Sequence, residues 1–98
     1  MDKRAILGRV INFHVIDLPG GIGIKYLNHL HTLNSTAYEI FQLCDGNRTI
    51  QDIQNEIQDR YPDRKVEEWV EKFIQKLHSV GLVRERNEHD FEHIIRKY

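Results

Sequence analysis

The sequence predicts an α+β, winged-helix-like domain in which a three-stranded antiparallel sheet is followed by a three-helix bundle. Two patterns predict this fold: apolar residues alternate between Val10 and Leu33, and from Asn34 onward they recur every three or four residues. The length of 98 residues, with 40% hydrophobic and 30% charged residues, is typical of one globular domain. We assign that domain to residues 1–86 and a polar tail or short helix to residues 87–98.

The predicted sheet is a small antiparallel meander. The first strand is expected around Ile11, Phe13 and Val15, which alternate with their neighbours. Pro19-Gly20-Gly21 predicts a turn, because glycine adopts the positive φ angles that a chain reversal needs. A second strand follows over residues 22–27, and a tight turn at Asn28-His29 leads into a third strand, Leu30-His31-Thr32-Leu33.

Two short helices follow the sheet. Asn34 or Ser35 can cap the first helix, and Asp45-Gly46 ends it. Its apolar stripe consists of Ala37, Ile40, Phe41 and Cys44. Thr49, with an acidic first turn at Asp52, predicts the start of a second helix. That helix carries Ile50, Ile53, Ile57 and Tyr61 and reaches Pro62.

The third helix is the longest and has the clearest apolar face. Its stripe consists of Val66, Trp69, Val70, Phe73, Ile74, Leu77 and Val80, and Gly81 ends the helix. At 100° per residue this stripe is about 140° wide, which exceeds the roughly 100° that a core face needs. We therefore expect its margins, at Trp69 and Ile74, to serve a second surface. Leu82-Val83 either returns to the sheet or covers it.

The composition excludes several classes of protein. A net charge of −1 gives no overall basic excess for nucleic acid, and no apolar run reaches the roughly 20 residues of a membrane span. Gly20-Gly21-Ile22-Gly23 lacks the Lys-Ser/Thr of a phosphate-binding loop. The single Cys44 lies on an apolar stripe, a position that favours a small buried side chain over a nucleophile. Because one cysteine cannot form an internal disulfide, a reducing, cytoplasmic location is expected. The sequence thus indicates no catalytic residues and no cofactor.

Six histidines raise the question of a metal site. His29 and His31 would share one strand face, and His89 and His93 would share one helix face. A stable zinc site needs three or four ligands, so each pair alone is too small. The histidines are interpreted as solvated side chains, and no metal ligand is assigned.

Several short motifs resemble the PqqD family, the small leader-peptide-binding proteins also called RiPP recognition elements. Leu33-Asn34-Ser35-Thr36-Ala37 and Leu43-Cys44-Asp45-Gly46 with Thr49-Ile50 match its most diagnostic part, and Gly81-Leu82-Val83 fits the end of its third helix. The resemblance extends from about Val10 to Arg84. Asn34, Asp45-Gly46 and Thr49 are interpreted as determinants of the fold, since helix capping and a left-handed turn explain them.

The resemblance implies a non-catalytic peptide chaperone of natural-product biosynthesis. Family members bind the leader of a ribosomally made precursor peptide and present it to a modifying enzyme, either a radical SAM enzyme or a leader peptidase. The leader adds as a strand to the open edge of the third strand and lies against the third helix. Carried over to this sequence, the peptide-binding residues are Leu30, His31, Thr32, Leu33, Trp69, Val70, Lys72, Phe73 and Lys76.

Within that set, Trp69, Val70 and Phe73 would form an apolar floor, while Lys72 and Lys76 would reach acidic leader positions. Trp69 is the expected hot spot, because a tryptophan buries a large area and its indole N–H can donate a hydrogen bond. The alternative function is a winged-helix DNA-binding regulator that reads DNA with the third helix. Its Lys65, Lys72 and Lys76 are balanced by three glutamates, which favours a peptide over a duplex. Association of two copies through the open strand is a further possibility.

Overall fold

A computed structural model describes residues 2–86 and has two three-stranded antiparallel sheets and three helices. The predicted α+β class is confirmed, with a three-stranded sheet preceding the helices. The tail at 87–98 lies outside the described residues. The elements in chain order are β1 (Ile6–Arg9), β2 (His14–Leu18), β3 (Gly21–Tyr26), β4 (His29–Leu33), α1 (Ser35–Leu43), β5 (Asp45–Thr49), α2 (Ile50–Arg60), α3 (Glu67–Ser79) and β6 (Val83–Arg86).

The predicted meander is present, in the order β2-β3-β4, but two boundaries differ from the prediction. The first strand begins at His14, because the chain bends at Asn12, where φ is 63°, and leaves Ile11 76% exposed. The turn between β3 and β4 falls at Leu27-Asn28, one residue earlier than expected. Both residues have positive φ, as a two-residue hairpin turn requires.

The second sheet, in the order β5-β1-β6, is absent from the sequence prediction. Its central strand, β1, pairs with β6 from Ile6↔Arg86 to Arg9↔Val83 and with β5 between Ile6↔Thr49 and Gly8↔Asp45. Leu82-Val83 therefore leads back into a sheet. Asp45-Gly46 follows the end of α1 as predicted, with Gly46 at φ 83°, but these two residues also begin strand β5.

The helix caps agree with the sequence. Asn34 is the N-cap of α1, and its side-chain oxygen accepts a 2.8 Å hydrogen bond from the N–H of Ala37. Thr49 and Asp52 form a reciprocal capping box at the start of α2. Such caps satisfy amides that the first helical turn leaves unpaired.

The core lies where the three helices meet the two sheets. Helix α1 packs on β3 and β4, α2 on β5, and α3 on β6 as well as on the other two helices. All four residues of the α1 stripe are buried, as are Ile50, Ile53 and Ile57 of α2. Among residues 2–86, no helix is both long and apolar enough to cross a membrane.

Candidate functional site

Strand β4 forms one edge of the meander. Within the described residues it pairs only with β3, from Tyr26↔His29 to Ile22↔Leu33, so its other side is open. An open antiparallel edge presents N–H and C=O groups that a further strand can pair with. The predicted third strand, residues 30–33, therefore lies at the edge that strand addition requires.

Helix α3 runs beside this edge and leaves a small cleft. The cleft has a volume of about 110 Å³, and we call it the strand–helix cleft. It is lined by Thr32, Leu33, Asn34, Ala37, Phe73, Lys76 and Leu77. Four of the nine predicted peptide-binding residues thus lie around one concave surface, and three residues that were not predicted as contacts complete it.

The register of the sheet divides the predicted strand residues between its two faces. His31 and Leu33 are opposite Ile24 and Ile22, which pack towards the helices. Leu30 is opposite Lys25, and its Cδ1 lies 2.9 Å from where a Cβ on Gly23 would stand. Leu30, which is 53% exposed, therefore covers the outer face of the sheet, away from α3. A side chain of Leu30 can meet only a ligand that reaches that outer face.

The predicted residues of α3 also differ in their exposure. Val70 is completely buried in the core, so it supports the surface from beneath and has no exposed area for a ligand. Phe73 is half-buried and lines the strand–helix cleft, whereas Lys72 is exposed and lies outside it. Lys76 lines the cleft and forms no ion pair with any of the residues 2–86.

Trp69 continues the surface beyond the cleft as the middle member of an aromatic row. Its ring stands edge-on to Phe73, with centroids 5.8 Å apart, and edge-on to Tyr61, with centroids 5.9 Å apart. The Tyr61 hydroxyl donates a 2.8 Å hydrogen bond to Glu39 of α1, and this bond raises the pKa of Tyr61. The row is therefore anchored to α1 at one end and opens into the strand–helix cleft at the other.

A second cleft lies at the opposite end of β4, and the sequence analysis did not predict it. It has a volume of about 390 Å³ and is formed by Tyr26, Leu27, His29, His31, Val80, Gly81 and Arg84. We call it the histidine cleft. The imidazoles of His29 and His31 lie with centroids 6.3 Å apart, and Val80 is 41% exposed. The available signal was the alternation of His29 and His31, together with Val80 at the end of the helical stripe.

A third, wider concavity of about 640 Å³ lies between α1 and the segment that leads into β2. Phe13 and Phe41 meet edge-on there, with centroids 5.2 Å apart, and the guanidinium of Arg9 lies 6.0 Å from the Phe41 ring. None of the predicted peptide-binding residues is part of it.

The structure also bears on the cysteine and the histidines. Cys44 is completely buried, its Sγ donates to the carbonyl of Ile40 at 3.3 Å, and burial raises the pKa of the thiol to about 12. A neutral, enclosed thiol is a poor nucleophile, as the stripe position predicted. Residues 2–86 contain no group of three or more His, Cys, Asp or Glu side chains that would hold a metal ion. His89 and His93 lie outside the described residues.

Comparison with known protein families gives a match over most of the chain. A family model described as "Coenzyme PQQ synthesis protein D (PqqD)" matches residues 14–83, more than half of the chain. No curated protein and no solved structure was found to match. The matched range contains the meander and the three helices, and with them every residue of the strand–helix cleft.

Proposed function

The chain belongs to the PqqD family, and on that premise we propose that it binds the leader of a ribosomally made precursor peptide and presents it to a separate modifying enzyme. At the level of the family, its members are non-catalytic accessory proteins that bind a precursor peptide. For this chain, the proposal names strand addition as the mode of binding. The enzyme that receives the peptide would be a radical SAM enzyme or a leader peptidase.

The observation that carries the proposal is the open edge of β4 beside the strand–helix cleft. A leader strand paired with β4 would gain backbone hydrogen bonds, which any sequence can make. Side chains on its inner face would meet Leu33, Phe73 and Leu77, so an apolar leader residue would be selected there. Affinity and sequence preference would thus come from two neighbouring parts of one surface.

The electrostatics support a peptide as the ligand. Lys72 and Lys76 form no ion pair with any described residue, whereas Glu67 at the start of the same helix is paired with Lys3. Lys76 lines the cleft without an ion pair to any of the residues 2–86, and its positive charge favours an acidic leader residue. We also propose a cytoplasmic location, because the single, buried Cys44 has no second cysteine in the sequence with which to form an internal disulfide.

The test compares the two edge strands of the meander: β4 is expected to respond to the leader, and β2 is the internal control. The probe is the leader half of the precursor peptide encoded beside the gene, and the readout is amide hydrogen exchange of the labelled protein by NMR. We expect slower exchange in His29–Leu33 when the leader is bound, and no change in the other edge strand, His14–Leu18. Binding without protection of either strand would overturn strand addition, and the absence of binding would overturn the function.

The DNA-binding alternative makes a different prediction for salt. Affinity for duplex DNA falls steeply as salt increases, because binding releases counterions from phosphates. Binding by backbone hydrogen bonds and apolar contacts is expected to change far less between 50 and 200 mM salt. Tight duplex binding with a steep salt dependence, together with no response to the leader, would favour the alternative.

A further inference from the structure

The histidine cleft extends the proposed binding surface along β4. It lies at the His29 end of the strand and the Val80 end of α3, whereas the strand–helix cleft lies at the Leu33 end beside Phe73. Strand β4 and helix α3 therefore run in opposite directions, with one cleft at each end of their contact. From His29 to Leu33 the strand rises by about 13 Å, at roughly 3.3 Å per residue.

The chemistry of the two clefts differs. The strand–helix cleft has apolar side chains around Leu77, with Lys76 at its rim. The histidine cleft brings together Arg84 and two histidines, and its lining by residues 2–86 includes no Asp or Glu. Arg84 forms no ion pair with the other residues of 2–86. All three groups are hydrogen-bond donors, and a guanidinium prefers a carboxylate.

The apolar part of the same cleft limits what can enter. Val80 and Leu27 are 41% and 72% exposed, and the ring of Tyr26 forms part of the wall. An acidic side chain carries a short aliphatic stem and a charged end, so its stem would lie on Val80 while its carboxylate reaches Arg84. The imidazoles of His29 and His31 are on the same face of β4 and close enough to donate to that carboxylate as well.

We propose that the histidine cleft binds an Asp or Glu side chain of the leader, which deepens and rests on the proposed function. The acidic residue is separated from the apolar residue in the strand–helix cleft by two or four positions. This spacing follows because alternate residues of an added strand point to the same face, and His31 and His29 lie two and four residues before Leu33. An acidic residue one position away would point to the outer face.

The test is a double-mutant cycle between protein and peptide. The probes are the leader half of the precursor encoded beside the gene and variants of it in which single Asp or Glu residues become Asn or Gln. The protein variants are Arg84→Gln and His31→Gln, with the exposed Arg64→Gln and His14→Gln as matched controls. Circular dichroism and thermal unfolding show whether each variant is folded.

We expect the neutralisation of one acidic leader residue, at the stated spacing, to lower the affinity of the leader for the protein about tenfold to a hundredfold. The same peptide change should have little further effect on Arg84→Gln, and its full effect on Arg64→Gln and His14→Gln. A leader that binds tightly without coupling to Arg84 or His31, or that contains no acidic residue, overturns this inference and leaves the proposed function intact. A leader that does not bind at all overturns both.

Discussion

The indole of Trp69 stands edge-on to the ring of Phe73, with a distance of 5.8 Å between centroids and an angle of 72° between ring planes. Tyr61 meets the other side of the indole at 82°. Edge-to-face contacts of this kind add about 0.5–1.5 kcal/mol beyond the area they bury. Trp69 is therefore held in one orientation from both sides, so that its exposed part is a rigid surface beside the strand–helix cleft.

Replacement of Trp69 by alanine should weaken both folding and leader binding. Because the side chain is only half-buried, we expect a loss of about 2 kcal/mol in the free energy of unfolding, below the 3–5 kcal/mol of a fully buried aromatic residue. Leader affinity should fall by about tenfold or more. Urea denaturation and calorimetric titration measure the two effects separately, and Trp69→Phe should retain most of the affinity. A folded alanine variant with unchanged affinity would contradict the role of Trp69.

Removal of the helix caps should destabilise the domain without a direct effect on the open strand edge. Thr49→Ala removes the hydroxyl that accepts from the N–H of Asp52, keeps the backbone N–H that donates to the Asp52 carboxylate, and should lower the free energy of unfolding by about 1 kcal/mol. Thr49→Ser keeps the hydroxyl and serves as the control. Since Thr49 is outside the strand–helix cleft, leader affinity of the folded variant should equal that of the wild type. A loss of affinity comparable to that of Trp69→Ala would show that the site extends further than described.

Two glycines of β3 should respond differently to a methyl group. A Cβ on Gly21 would lie 2.8 Å from the carbonyl oxygen of Leu33, so Gly21→Ala must displace the backbone of β4. The atoms nearest to a Cβ on Gly23 belong to the side chains of Leu18 and Leu30, whose ends can rotate away. We expect Gly21→Ala to lower the free energy of unfolding by about 1–3 kcal/mol and to weaken leader binding. Gly23→Ala should have the smaller effect in both assays, and the reverse order would be inconsistent with this packing.

The thiol of Cys44 should make stability depend on pH in alkaline solution. Burial raises its pKa from the ordinary value of 9.0 to about 12. Above pH 9 the unfolded chain loses this proton while the folded chain keeps it, so the stabilising contribution is complete below pH 9 and is lost as pH rises towards 12. Between these two pH values the free energy of unfolding falls with a slope that approaches about 1.4 kcal/mol per pH unit. Urea unfolding of wild type and Cys44→Ala between pH 8 and 10.5, with reductant, measures the difference, and parallel pH curves would exclude the effect.

The meander and the helices were predictable because their signals are local. Thr49 and Asp52 satisfy each other's amides within four residues, and the stripe of α3 can be read from its own period. Strand β5 is different: Asp45-Gly46-Asn47-Arg48-Thr49 has neither alternation nor β-branched residues before its last position. It is a strand because β1 lies beside it, and that pairing joins residues about 40 positions apart. No pattern within either segment indicates the other.

The sequence indicated which strand and helix form the candidate site, but not which of their residues face each other. The resemblance identified the strand and the helix, and both lie together. Whether Leu30 or Leu33 points to the helix depends on the register with β3, which the misplaced turn at Asn28-His29 left uncertain by one residue. The histidine cleft depends on Arg84 in β6, a strand that follows from its pairing with β1.

Pairing between β1 and β6 has a consequence for the newly translated chain. Ile6 meets Arg86, so strand β1 is complete on both sides only after residue 86 has been added. At about 5–20 residues per second, roughly 4–16 s separate the synthesis of these two partners. Throughout that interval Leu7, later wholly buried, belongs to a strand that lacks a partner on at least one side. If a shortened transcript omits Val83–Arg86, or a protease removes them, one side of β1 stays without a partner. The truncated product should then aggregate or be degraded.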